Sequence, residues 1–297
     1  MTRISLEFDT EQSFQKVQAT LYEPKTIVST LIFVHDLYEH RMRYEPLADF
    51  FNSLGVAVLT YDLRGYRNSL IGNQEGYLGF REDLYRDLKR MVQYMKARYE
   101  GVDTVVMGVG FGALLALNQF KAAPQECDRL ILVSPVVKPK FYYLRSLVFK
   151  VLGWRAPKSY STGIWPTHFP YKKRSQSFSK WDYLSSDKQV IASYHLDPLC
   201  GRSLANASLS EVLAVIKQGQ KAMEMVVPID KRVLLIGGKE DPLTHYGHGV
   251  INLKQQLTSW GIQVDDVLLF MNQGHDVLSS LAGNNVLKTG LQGFILS

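Results

Sequence analysis

Asp241 and His275 each stand just past an apolar run of the chain, one in GGKEDPLT and the other in NQGHDVL. An aspartate that orients an imidazole makes a general base, and such a base needs a hydroxyl or a water to deprotonate. The place for a hydroxyl is residues 105–113, VVMGVGFGA, where an apolar strand passes through a glycine-dense turn into a helix carrying Phe111, Leu114, Leu115 and Leu117. This is the outline of G-x-S-x-G, a strained elbow that holds a serine above the end of a parallel sheet. Gly108 and Gly112 fill the flanking positions, where a side chain would collide with a neighbouring strand or helix. Between them stands Gly110, which has no attacking atom.

The elements that position these residues follow from hydrophobic spacing. Residues 4–8 and 17–22 alternate apolar and polar side chains, as an antiparallel hairpin at a sheet edge does. Residues 31–34, 56–61, 130–133 and 233–236 are short continuous apolar runs, expected of strands buried on both faces. Leu84, Leu88, Met91, Val92 and Met95 fall at helical spacing ahead of the glycine turn. Strand and helix in alternation predict a mostly parallel, doubly wound α/β sheet with ligands at the carboxyl ends of its strands. The alternation stops over residues 136–228, where aromatic and aliphatic residues interleave with Lys138, Lys140, Arg145 and Lys150, followed by the irregular WPTHFPYKKR. That segment is expected to be a helical cap, inserted into a core made of residues 1–135 and 229–297. Ser208 and Glu211 have the spacing of a capping box and predict the start of its last helix.

Composition narrows the function classes. Two cysteines, Cys127 and Cys200, are too few for a disulfide framework and lack metal-ligand spacing, so a reducing cytoplasm is expected. No apolar stretch has the length of a membrane span. His245 and His248 are three apart but no third ligand is evident, so no metal is expected. His40, His168 and His195 lack catalytic spacing, and Ser134 closes a strand but has no elbow. KKR at 172–174 is too short to indicate nucleic-acid binding. The net charge of +6 is uneven: residues 136–228 hold 14 Lys and Arg against 5 Asp and Glu. This is either a solvated basic face or a surface drawn to anionic lipid.

Five stretches together resemble the monoacylglycerol lipase and lysophospholipase group of α/β hydrolases, often called serine aminopeptidase-like. They are VHDLYEHRMRYEPLADFF, YDLRGYRNS, GVGFGA, GGKEDPLT and NQGHDVL, and the likeness covers nearly the whole chain. The resemblance implies an α/β-hydrolase fold and hydrolysis of acyl esters beneath an apolar lid, with no metal or organic cofactor. The order Gly110, Asp241, His275 matches the group's order of nucleophile, acid and histidine. It further implies that Asp241 orients His275 as general base and that the N–H groups of Leu37 and Phe111 form the oxyanion hole.

The departures cluster around one cavity. Gly110 replaces the serine, Val109 the elbow histidine, and Tyr66 and Arg67 the His and Gly of the third motif. Asp36 stands where the group has glycine, and a carboxylate there opposes charge on a substrate oxygen unless it is protonated or turned away. Three readings follow. The chain binds an acyl or lipophilic ligand without serine-type activity; or it hydrolyses through a water held in the serine's place and activated by His275; or it is an inactivated variant of an active lipase. In each, the basic cap is a candidate for peripheral contact with anionic lipid.

Overall fold

The computed structural model describes residues 2–10, 15–161, 181–223 and 231–297. The stretch from Trp165 to Arg174, with His168 and the KKR run, lies outside them. Eight strands form one sheet in the order β1-β2-β4-β3-β5-β6-β7-β8. The hairpin β1 (Thr2–Asp9) and β2 (Lys16–Glu23) is antiparallel, with Leu6 opposite Ala19, and β1 is the edge. The other six are parallel to one another: β3 (Ser29–Val34), β4 (Val56–Tyr61), β5 (Thr104–Val109), β6 (Arg129–Val133), β7 (Arg232–Gly238) and β8 (Gln263–Phe270).

Each central strand sends alternate side chains to two separate cores, as a pleated sheet covered on both faces requires. Leu31, Phe33, Val105, Met107, Ile131 and Val133 meet α1 (Glu45–Ser53) and α8 (Asn285–Leu296) through Leu47, Phe51, Leu287 and Leu291. On the other face Ile32, Val34, Val106, Leu130 and Leu132 meet α2 (Arg81–Arg98), α3 (Phe111–Ala122) and α7 (His248–Ser259). The same core continues into the segment between β6 and β7, which forms α4 (Tyr142–Arg155), α5 (Lys188–Leu196) and α6 (Asn206–Gly219). Leu209, Val212, Leu213 and Ile216 seat α6 on α3, so this segment is fastened to the sheet rather than floating over it.

The capping box read at Ser208 does not form. Helix α6 begins at Asn206, and Ser208 Oγ instead accepts the Leu78 N–H at 2.8 Å, while Glu211 Oε2 accepts the Arg81 N–H at 3.2 Å. Both side chains are spent on the loop that leads into α2. This tertiary contact outweighs a local cap that the helix obtains in other ways.

Candidate active site

Parallel register sets the site. Strands β3 and β5 pair Val34 with Gly108, so counting on by two brings Asp36 level with Gly110. Asp241 follows β7 and His275 follows β8, so all four residues meet at the carboxyl edge of the sheet. Gly110 sits at φ +55°, a left-handed conformation that glycine adopts without strain. The turn is tight on its far side as well, since a Cβ on Gly112 would lie 2.4 Å from the Val34 carbonyl oxygen.

The volume beside Gly110 is filled. A Cβ built on Gly110 would lie 2.2 Å from Asp36 Cγ and 2.2 Å from its Oδ1, closer than any side chain tolerates. Asp36, two residues past β3, therefore places a carboxylate in the room that a side chain on the elbow would use. It is neither turned away nor solvated: its Oδ1 accepts the Phe111 N–H at 2.6 Å and its Oδ2 the His275 Nε2–H at 3.0 Å. This contact bears on two expectations. Phe111 presents an N–H at the turn, and in this structure that donor serves Asp36. The place of a side chain on Gly110, where an attacking water was expected, holds the Asp36 carboxylate.

His275 lies between two carboxylates. Its Nδ1–H donates to Asp241 Oδ2 at 2.7 Å, opposite the bond to Asp36, and the residue is 1% exposed. Burial alone pushes the imidazole pKa down. Asp241 and Asp36 together outweigh burial and hold it well above its ordinary value. The two carboxylates thus favour the imidazolium form, in which both ring N–H groups find an acceptor. Asp241 is fixed in turn by the Leu243 N–H at 2.8 Å, and the His275 backbone by the Tyr183 carbonyl at 2.9 Å and Ser134 Oγ at 2.8 Å. Ser134 thus anchors the histidine loop.

Asp36 has supports that spacing alone did not single out. His35 donates from Nδ1 to the Asp36 carbonyl at 2.6 Å and accepts the Leu63 N–H at Nε2, which identifies it as a neutral ring. Its complete burial lowers its pKa in agreement. The Asp36 N–H donates to Glu39 Oε1, which also accepts from the Tyr44 hydroxyl. Arg43 bridges Glu39 and Asp276 at 3.3 and 3.4 Å. Burial, with Arg43 opposing it, pushes Glu39 up to about 7. Tyr66, one of the departures noted above, accepts the Tyr38 N–H at 3.0 Å and packs edge-on to His35. Leu37, half-buried, lies between these anchors.

Among the described residues one trio has metal-capable atoms within 4.8 Å of one another: His40, Asp197 and Cys200. His40 Nε2 and Asp197 Oδ2 are already hydrogen-bonded at 2.8 Å, and burial raises the Cys200 thiol so that it keeps its proton. His245 and His248 do not join any such group.

The family model described as serine aminopeptidase, S33, matches residues 25–279. A monoglyceride lipase homolog of Monkeypox virus is 24% identical over 228 residues, covering 75% of both chains. The monoacylglycerol lipase of Mycolicibacterium smegmatis is 25% identical over 223 residues, 74% of this chain and 72% of that one. Among solved structures, a thermostable carboxyl esterase from Bacillus coagulans superposes with a TM-score of 0.86 at 19% identity over the full length of both.

Proposed function

Because the chain belongs to the serine aminopeptidase, S33, family of α/β hydrolases, we propose that it is a member that binds acyl lipid at a membrane surface without cleaving it. The observation that carries this reading is the Asp36 carboxylate lodged beside Gly110. Acyl transfer needs a nucleophile, a neutral base and a free oxyanion donor. Gly110 offers no hydroxyl, two carboxylates flank His275 and favour its protonated form, and the Phe111 donor is occupied. A mechanism using water alone lacks the same base and the same room.

Helix α4 supports the lipid part. Tyr143, Leu144, Leu147, Val151 and Trp154 are all exposed, Trp154 at 81%, and lie within about 100° of one another around the helix axis. Its other face buries Tyr142 and Phe149. Exposed Lys150 and Arg155 border the stripe on either side, and Lys140 and Lys158 lie beyond its ends. An apolar stripe with cations along its margins is the pattern of a helix lying in the interface of an anionic bilayer, its basic side chains reaching the headgroups.

Incubation with a fluorophosphonate probe is expected to leave the protein unlabelled. The protein is expected to sediment with phosphatidylserine vesicles and to lose that property in Leu147→Ser/Trp154→Ser. Strong covalent labelling refutes the inert site. Sedimentation that the double variant leaves intact refutes the docking helix.

A further inference from the structure

A cleft of about 570 Å³ lies between α2 and α3 of the core and α4 and α6 of the inserted segment. Four elements and one loop bring cations to it: Arg81, Lys121, Lys150, Lys217 and Lys221. Among the described residues lining it Glu211 is the one acid, and it is already committed. Its Oε2 accepts both the backbone N–H and the guanidinium of Arg81, at 3.2 and 2.9 Å. Lys121 Nζ donates to the Gln218 and Lys221 carbonyls at 2.8 and 2.6 Å. Its charge is thus fixed at the cleft wall.

Arg81 is paired with Glu211 and Glu82, and the four lysines give the cleft a positive potential, which its low-dielectric walls focus. The space lies within the range of small-molecule sites and is far larger than one phosphate, which could not reach cations spread over all its walls. The ligand that matches carries several phosphates on a compact polar frame.

We propose that this cleft binds a phosphate-dense anion of the kind presented by a phosphorylated inositol, and that the anion is a lipid headgroup. The choice of source comes from helix α4. Tyr142, Ser146 and Lys150, each four residues from the next, line the cleft. The adjacent ridge, Tyr143, Leu147 and Val151, is the exposed apolar stripe. A headgroup in the cleft therefore has its acyl chains beside the surface that meets the bilayer. The lipid source rests on the docking of α4 proposed above; the anion site itself does not.

Two measurements on the full chain test this. Calorimetric titration with soluble inositol trisphosphate at physiological salt is expected to show saturable binding that weakens by about tenfold or more in Lys150→Glu/Lys217→Glu. Both lysines are exposed, and circular dichroism checks that the fold is kept. Adding a few per cent of phosphatidylinositol bisphosphate to phosphatidylcholine vesicles is expected to recruit the protein. Recruitment should fail in that variant and in Leu147→Ser/Trp154→Ser, while the latter keeps its affinity for the soluble probe. Soluble binding without recruitment supports the anion site and overturns the lipid source. No saturable binding of the soluble probe, or binding that Lys150→Glu/Lys217→Glu leaves unchanged, overturns the site.

Discussion

Gly110→Ser alone is expected to remain as inert toward a fluorophosphonate as the parent chain, whereas Asp36→Gly/Gly110→Ser labels and turns over short acyl esters. The difference is steric first. A Cβ at residue 110 would sit 2.2 Å from Asp36 Cγ, so serine and aspartate compete for one volume. Electrostatics follows in the same direction. Removing Asp36 takes away one of the two carboxylates that hold the His275 proton, and it releases the Phe111 N–H. The double variant then has a nucleophile, a base whose pKa falls back toward its ordinary range, and a free oxyanion donor. A completed triad raises turnover by about 10³-fold or more over a site with only a hole and binding. Activity in the single variant equal to that of the double would show that Asp36 swings aside readily. That result would mark the chain as an active lipase disabled at one position.

His275→Ala is expected to destabilise the fold by about 3–5 kcal/mol, because it leaves Asp36 and Asp241 buried around a cavity without their shared cation. The pH dependence gives this a sign. The folded-state pKa of His275 lies well above the unfolded value of 6.5. Its contribution is therefore fully present below that value and is lost as pH rises through the folded-state pKa. Urea denaturation should show the largest gap between parent and variant near about pH 6, narrowing at alkaline pH. A gap that widens with pH would mean that the ring is neutral in the folded protein and that the carboxylates are not held by a cation.

Much of the framework is legible in the residues. The continuous apolar runs correspond to β3, β4, β6 and β7 because strands covered on both faces need apolar side chains throughout. The spacing of Leu84, Leu88, Met91 and Met95 places α2 because one face of that helix is buried and the other is not. Asp241 and His275 are brought together because each follows a strand of the same parallel sheet. The resemblance groups Asp36 and Gly110 around one cavity, but their direct contact is not written in either stretch. They are far apart in the chain, and no local pattern links them. Only the pairing of Val34 with Gly108 makes them neighbours, and a register between strands is a property of the assembled sheet. Ser208 and Glu211 misled for the opposite reason, since a valid local motif was overridden by the loop before α2.

The shared volume at residues 36 and 110 also ties the two positions together. A side chain at residue 110 and the present seat of the Asp36 carboxylate exclude each other, so a change at either position is felt at the other. Substitutions there are expected to be non-additive, and a double-mutant cycle over the two residues measures that coupling.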